Sequence, residues 1–130
     1  TALATVPRHG RAVVLACGPR DLHTLGLEAL ALLLARDGHV CRVLGARTPA
    51  RAAVTAVTAT SAAAAVMVSH LATNRRPCIA ALHDLAGTGC RVFYAGNAFV
   101  FPAARDGVPG TYLGETIAGA AGLIGAALAG

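Results

Sequence analysis

Five short apolar runs, each followed by a segment patterned as a helix or an irregular turn, constrain the fold of this chain more than any other feature. Arg11-Ala12-Val13-Val14-Leu15-Ala16-Cys17 opens the series. Val40–Leu44, Ala64–Ser69, Cys90–Ala95 and a weaker Gly110–Gly114 follow. Continuous apolar runs of this length are what strands show when both faces of their sheet are covered. Between them the spacing predicts helices over 24–37, 49–60 and 72–86, a short irregular or helical piece over 98–106, and a last helix starting at Glu115. The punctuation agrees. Asp37-Gly38 stops the first helix, Thr48 is placed to cap the second with Pro49 at its first position, and Gly87-Thr88-Gly89 ends the third. Gly119, Gly122 and Gly125 lower the propensity of the last helix but let it approach a sheet closely.

Such alternation closes as a parallel sheet with right-handed crossovers. The expected architecture is α/β and flavodoxin-like (Rossmann-like): a five-stranded parallel sheet in the order 2-1-3-4-5 with helices on both faces. One domain spans 11–130, and residues 1–10, ending in Pro7-Arg8-His9-Gly10, read as a linker or tail. A hydrophobic content of 55% against 13% charged residues fits the doubly covered sheet. The net charge of +5 comes entirely from arginines scattered between Arg8 and Arg105. They form no basic stripe and no interleaving with aromatics, so direct nucleic-acid binding is not expected. Cys17, Cys41, Cys78 and Cys90 contain no Cys-x-x-Cys pair, which argues against a zinc site or a dithiol redox motif. They read as reduced thiols of a cytoplasmic protein. The chain does not open on a secretory signal. The uncharged stretch Thr116–Gly130 is too short and too glycine-rich for a membrane span, so it reads as a buried terminal helix.

A parallel sheet gathers every loop that follows a strand at one edge, where open α/β folds bind ligands. Loops 18–26, 45–49, 69–74, 96–99 and 112–114 bring His23, Thr48, Ser69, Thr73, Gly96, Asn97 and Tyr112 to that edge. The first of them reads Asp21-Leu22-His23-Thr24-Leu25-Gly26. An imidazole there can bind a metal through one ring nitrogen while the carboxylate two residues earlier accepts a hydrogen bond from the other. Competing ligands for this fold lose ground. Gly18-Pro19-Arg20 does not supply the Gly-x-Gly-x-x-Gly of a dinucleotide site or the Ser/Thr/Gly-rich loop of a flavin phosphate. Asp21 stands alone, without the clustered carboxylates of a phosphate-receiving regulator. The bland alternatives are a plain loop histidine at 23, a strand-end cap at Ser69 and a turn residue at Asn97. His9, His39 and His83 read as solvated, His70 as structural or exposed, and Arg75-Arg76 as a solvated helix start.

Asp21-x-His23-x-x-Gly26, Ser69-x-Leu71 and Gly96-Asn97, in this order and after the first, third and fourth strands, resemble the three-part signature of cobalamin-binding domains. The resemblance covers about residues 11–129. It implies that His23 is the lower axial ligand of cobalt, replacing the cofactor's own dimethylbenzimidazole, and that Asp21 tunes it. It implies that Thr24, Leu25 and Gly26 sit against the corrin, with Thr48 in the neighbouring loop. Ser69, Leu71 and Thr73 would contact the displaced nucleotide tail. Gly96 and Asn97 would leave it space, and Tyr112, Leu113 and Gly114 would wall the pocket. Asn97 departs from the second glycine of many relatives.

Methyl-carrier proteins typically read Asp-x-His-Asp-x-Gly-Lys, where this chain has Thr24 and Leu27. Carbon-skeleton mutases usually carry a lysine four residues before the motif aspartate, where this chain has Cys17. The run His23-Thr24-Leu25-Gly26-Leu27 is more similar to the light-responsive, MerR-type regulators of the CarH kind. What this resemblance implies is a cobalamin-binding sensory domain without catalytic residues of its own, holding adenosylcobalamin or methylcobalamin. A DNA-binding or helical-cap domain in a longer chain or partner protein would complete it, and homo-oligomers are compatible with it. The alternative is a corrinoid carrier subunit of a methyltransferase system.

Overall fold

A computed structural model describes residues 11–18 and 25–129, the side chain of Leu25 excepted. Five parallel strands form one sheet in the order β2-β1-β3-β4-β5, as the alternation predicts. The strands are β1 (Ala12–Cys17), β2 (Val40–Gly45), β3 (Ala64–Val68), β4 (Arg91–Ala95) and β5 (Thr111–Tyr112). The helices are α1 (Leu25–Arg36), α2 (Ala50–Thr60), α3 (Arg75–Ala86) and α4 (Ile117–Ala129), with short 3-10 turns over Ala72–Asn74, Asn97–Phe99 and Pro102–Arg105.

Side chains alternate across a strand, so each central strand feeds two cores. Val14, Ala16, Ala65, Met67, Val92 and Tyr94 point to the layer that holds α2 and α3, where Leu82, Leu85 and Phe99 meet them. Val13, Leu15, Cys17, Val66, Val68 and Phe93 point the other way, to Leu27, Leu30 and Leu34 of α1 and Ala120 and Ile124 of α4. Every residue of β1 and β3 is buried, which is why those runs carry no polar alternation. The edge strand β2 instead leaves Arg42, Val43 and Leu44 exposed. Its register with β1 slips between Leu15 and Ala16, where Gly45 turns the chain out of the sheet at a φ of +89°.

Helix ends follow local chemistry, with three revisions of the sequence reading. Gly38 stops α1 as expected: it takes a φ of +94°, and the His39 N–H reaches back to the Leu34 carbonyl at 3.0 Å. Thr48, however, does not cap α2. Pro49 occupies that place, and the Thr48 hydroxyl donates to the Gly45 carbonyl at 3.2 Å. The last helix starts at Ile117 rather than Glu115, because Thr116 caps it by accepting the Gly119 N–H at 3.0 Å. His39 is buried instead of solvated, folded in by the tight turn after α1. Among the described residues no disulfide joins the four cysteines, and no helix is long and apolar enough to cross a membrane.

Candidate functional site

Backbone hydrogen bonds beyond the strand ends lock the carboxyl edge into a single surface. Thr48 N–H donates to the Cys17 carbonyl at 3.1 Å and Gly18 N–H to Val68 at 2.9 Å. Ser69 N–H donates to Ala95 at 3.0 Å and Leu113 N–H to Tyr94 at 2.9 Å. The loops therefore continue the sheet for a residue or two before they diverge, and what they carry is held by the core.

Between α1, the ends of β3 and β4, and the start of α4 lies a cleft of about 260 Å³. It is smaller than a drug-sized site and suits a single heterocycle or a short polar tail. Of the residues singled out from sequence, Gly26, Gly96, Asn97, Tyr112 and Gly114 line it. Leu27, Leu30, Val68, His70, Ala95, Val100 and the segment 115–117, with Ala120, complete the wall. His70, read from sequence as structural or exposed, is half-buried in that wall.

Ser69 and Gly96 form a tight step beside the cleft. The Ser69 residue is fully buried, and its hydroxyl finds no hydrogen-bond partner among the described residues. A buried hydroxyl left so costs on the order of 1–3 kcal/mol. Its backbone is nonetheless fully engaged, since the Ser69 carbonyl accepts the Ala98 N–H at 3.1 Å. Gly96 packs on that same carbonyl: a Cβ at 96 would stand 2.1 Å from it, and the φ of +108° is open to glycine alone. The glycine at this position is thus required by the close approach of two loops.

The other described residues of the prediction lie outside the lining. Leu113 is buried in the core between α1 and α4. Thr48 is buried in the loop before α2 with its hydroxyl already used. Leu71 is 53% exposed and Thr73 is exposed, both at the rim after β3. Asp21, His23 and Thr24, and the side chain of Leu25, lie outside the described residues. At the β5 end the Arg105 guanidinium stacks 4.2 Å over the Tyr112 ring, and Tyr112 in turn lies 5.8 Å from Tyr94. Burial pushes the Tyr94 phenol up, against the lowering influence of Arg105. Among the described residues no three His, Cys, Asp or Glu side chains come together as a metal cage.

No sequence family matches the chain, and no curated protein sequence matches it. Solved structures do match in fold. A novel cobalamin-binding protein from Desulfitobacterium hafniense is similar at a TM-score of 0.75 and 17% identity, over 88% of this chain and 58% of that one. The methanol:cobalamin methyltransferase complex MtaBC from Methanosarcina barkeri is similar at 0.79 and 22%, over 96% of this chain and 49% of that one. The monomethylamine corrinoid protein of Methanosarcina barkeri is similar at 0.78 and 14%, over 95% and 60%. The chain thus spans about half to three-fifths of the length of these structures. The signal receiver domain of the putative response regulator NarL from Mycobacterium tuberculosis shares the fold at a lower TM-score of 0.60 and 19% identity, over 94% and 99%.

Proposed function

We propose that this chain is a cobalamin-binding domain that serves as a corrinoid carrier in a methyltransferase system. The observation that carries the reading is the step of Ser69 and Gly96: a buried hydroxyl without a partner among the described residues, beside a glycine-lined cleft at the carboxyl edge. These residues fit a ligand with a polar tail inserted between the sheet and α1 and α4. The fold shared with a methanol:cobalamin methyltransferase complex and a monomethylamine corrinoid protein supports the carrier role.

In this reading His23 gives cobalt its lower ligand, and Asp21 accepts a hydrogen bond from the other ring nitrogen and holds the tautomer. Gly26, Gly96, Asn97, Tyr112 and Gly114 make room for the displaced nucleotide tail. Ser69 supplies a hydroxyl to it and recovers the cost of burial. Leu71 offers an exposed apolar side chain at the rim, against which that tail would pass. When bound, cobalamin supplies a labile cobalt–carbon bond. The protein's own residues bind, orient and shield it.

A light- or ligand-dependent regulator is the second reading, and one observation favours it. Leu27 occupies the motif position where carriers typically have lysine. It is 2% exposed in the cleft wall, a place that suits no ammonium group. A regulator would also need a DNA-binding or helical-cap domain from a longer chain or a partner.

The test loads the protein in the dark with methylcobalamin, adenosylcobalamin or hydroxocobalamin, desalts it, and records visible spectra before and after green light. Retained cobalamin with an imidazole-ligated spectrum is expected, and His23→Ala should lose the imidazole signature. A colourless wild type overturns the cobalamin reading, and an unchanged spectrum in His23→Ala overturns the ligand assignment. Methyl transfer to or from a methyltransferase subunit would support the carrier. A light-induced change in mass without such transfer would support the regulator.

A further inference from the structure

The structure assigns a second surface, on the outer side of α1 and α4, and we propose that it receives a second copy of this chain in a twofold dimer. Glu28, Leu32 and Arg36 stand four residues apart along α1, and so form one ridge of the helix. All three are exposed, Leu32 by 68%. Both charged residues are open to solvent. The ridge therefore reads acid, apolar, base, with the apolar residue at its midpoint. A twofold interface brings each patch onto itself in reverse. With α1 antiparallel to its copy and the axis at Leu32, the two leucines meet and each Glu28 faces the partner's Arg36.

The neighbouring helix is open to solvent as well. No residue of α4 carries a charge, and its outward side leaves Gly119, Gly122 and Leu123 open, Leu123 by 46%. A helix apolar on all sides is ordinarily covered. Two chains of net charge +5 repel wherever arginines meet, but along this ridge each Arg36 would meet the partner's Glu28. Another partner would have to present the same order of charges that α1 already presents to itself. The inner sides of the same two helices line the cleft, so the dimer would brace two of its walls. The proposal does not depend on which ligand that cleft takes.

Sedimentation equilibrium of this chain between about 10 μM and 1 mM, without cofactor, tests it. The expected particle is twice the 12.9 kDa monomer. Leu32→Asp should remain monomeric across the range. Glu28→Arg and Arg36→Glu should each weaken association about tenfold, because each sets like charges opposite one another. Glu28→Arg combined with Arg36→Glu should restore it to within about threefold of wild type. Far-UV circular dichroism and thermal melting establish that each variant is folded; the substituted positions are all exposed. A wild type that stays monomeric, a dimer indifferent to Leu32→Asp, or a double variant no tighter than the single ones overturns the proposal.

Discussion

The two faces of the sheet use the same kinds of residue and end differently. On the α2/α3 face the packing continues to the carboxyl edge: Met67 and Phe99 are fully buried there, and the Phe99 ring meets Tyr94 edge-on with centroids 4.8 Å apart. On the α1/α4 face Leu15, Leu34, Phe93 and Ile124 fill the deeper part of the layer. Toward the carboxyl edge the facing positions are Val68, Ala95, Gly96 and Ala120, and side chains that short do not meet across the gap. A cleft is what remains. One face has been spent on stability and the other keeps an opening on a rigid frame.

Five substitutions can break or sharpen that contrast. Gly96→Ala should have the largest effect, a loss of about 3 kcal/mol in urea unfolding, because a methyl group there meets the Ser69 carbonyl. Gly114→Ala is the control: its φ is +82° but the space around it is open, so about 1–2 kcal/mol is expected. Equal losses would mean that the step beside the cleft is no tighter than its rim.

Next comes a matched pair of enlargements. Ala81, fully buried on the α2/α3 face, has no room for more side chain, and Ala81→Leu should cost about 2 kcal/mol. Ala120 is equally a core residue yet borders the cleft, and Ala120→Leu should cost less than about 1 kcal/mol because the longer side chain can enter the cleft. Similar losses in stability at both positions would show the two faces to be equally full.

The smallest effect concerns Cys41 on the edge strand. Partial burial pushes its thiol from 9.0 up to about 11. Over that range the unfolded chain loses the proton that the folded one keeps, so the native state is stabilised below about pH 9 and loses this contribution as pH rises towards 11. Urea midpoints of wild type and Cys41→Ala, compared at pH 8 and pH 10.5, should converge. Rapid alkylation of Cys41 at pH 8 would instead mean that the edge of the sheet opens readily.

Much of the frame is legible in the chain. The five apolar runs and the helical spacing between them suffice for the strand order, because parallel neighbours and right-handed crossovers admit few arrangements. Glycine and polar punctuation places most helix ends. Thr48 misleads because the helix begins one residue later than the Thr-Pro pair suggests, with Pro49 itself at the cap position. Thr116 does not stand out because Glu115 beside it carries an equally good start signal. The burial of His39 is not legible because a polar residue buried in a turn leaves no periodic trace.

The candidate site divides along the same line. Asp21, His23, Ser69, Gly96 and Asn97 stand out in sequence because each belongs to a short motif after a strand, and a motif needs only local order. Leu27, Leu30, His70 and the segment 115–117 do not stand out, although Leu27 and Leu30 could have been found by their spacing on the sheet side of α1. They become neighbours only when residues near 26 and near 120 close over the ends of β3 and β4. Sequence alone determined which strands pair, which edge collects the loops and which residues are the candidates for chemistry there. Tertiary structure decided where a cavity remains and which side chains wall it, because a void depends on the lengths of side chains that meet across elements far apart in the chain.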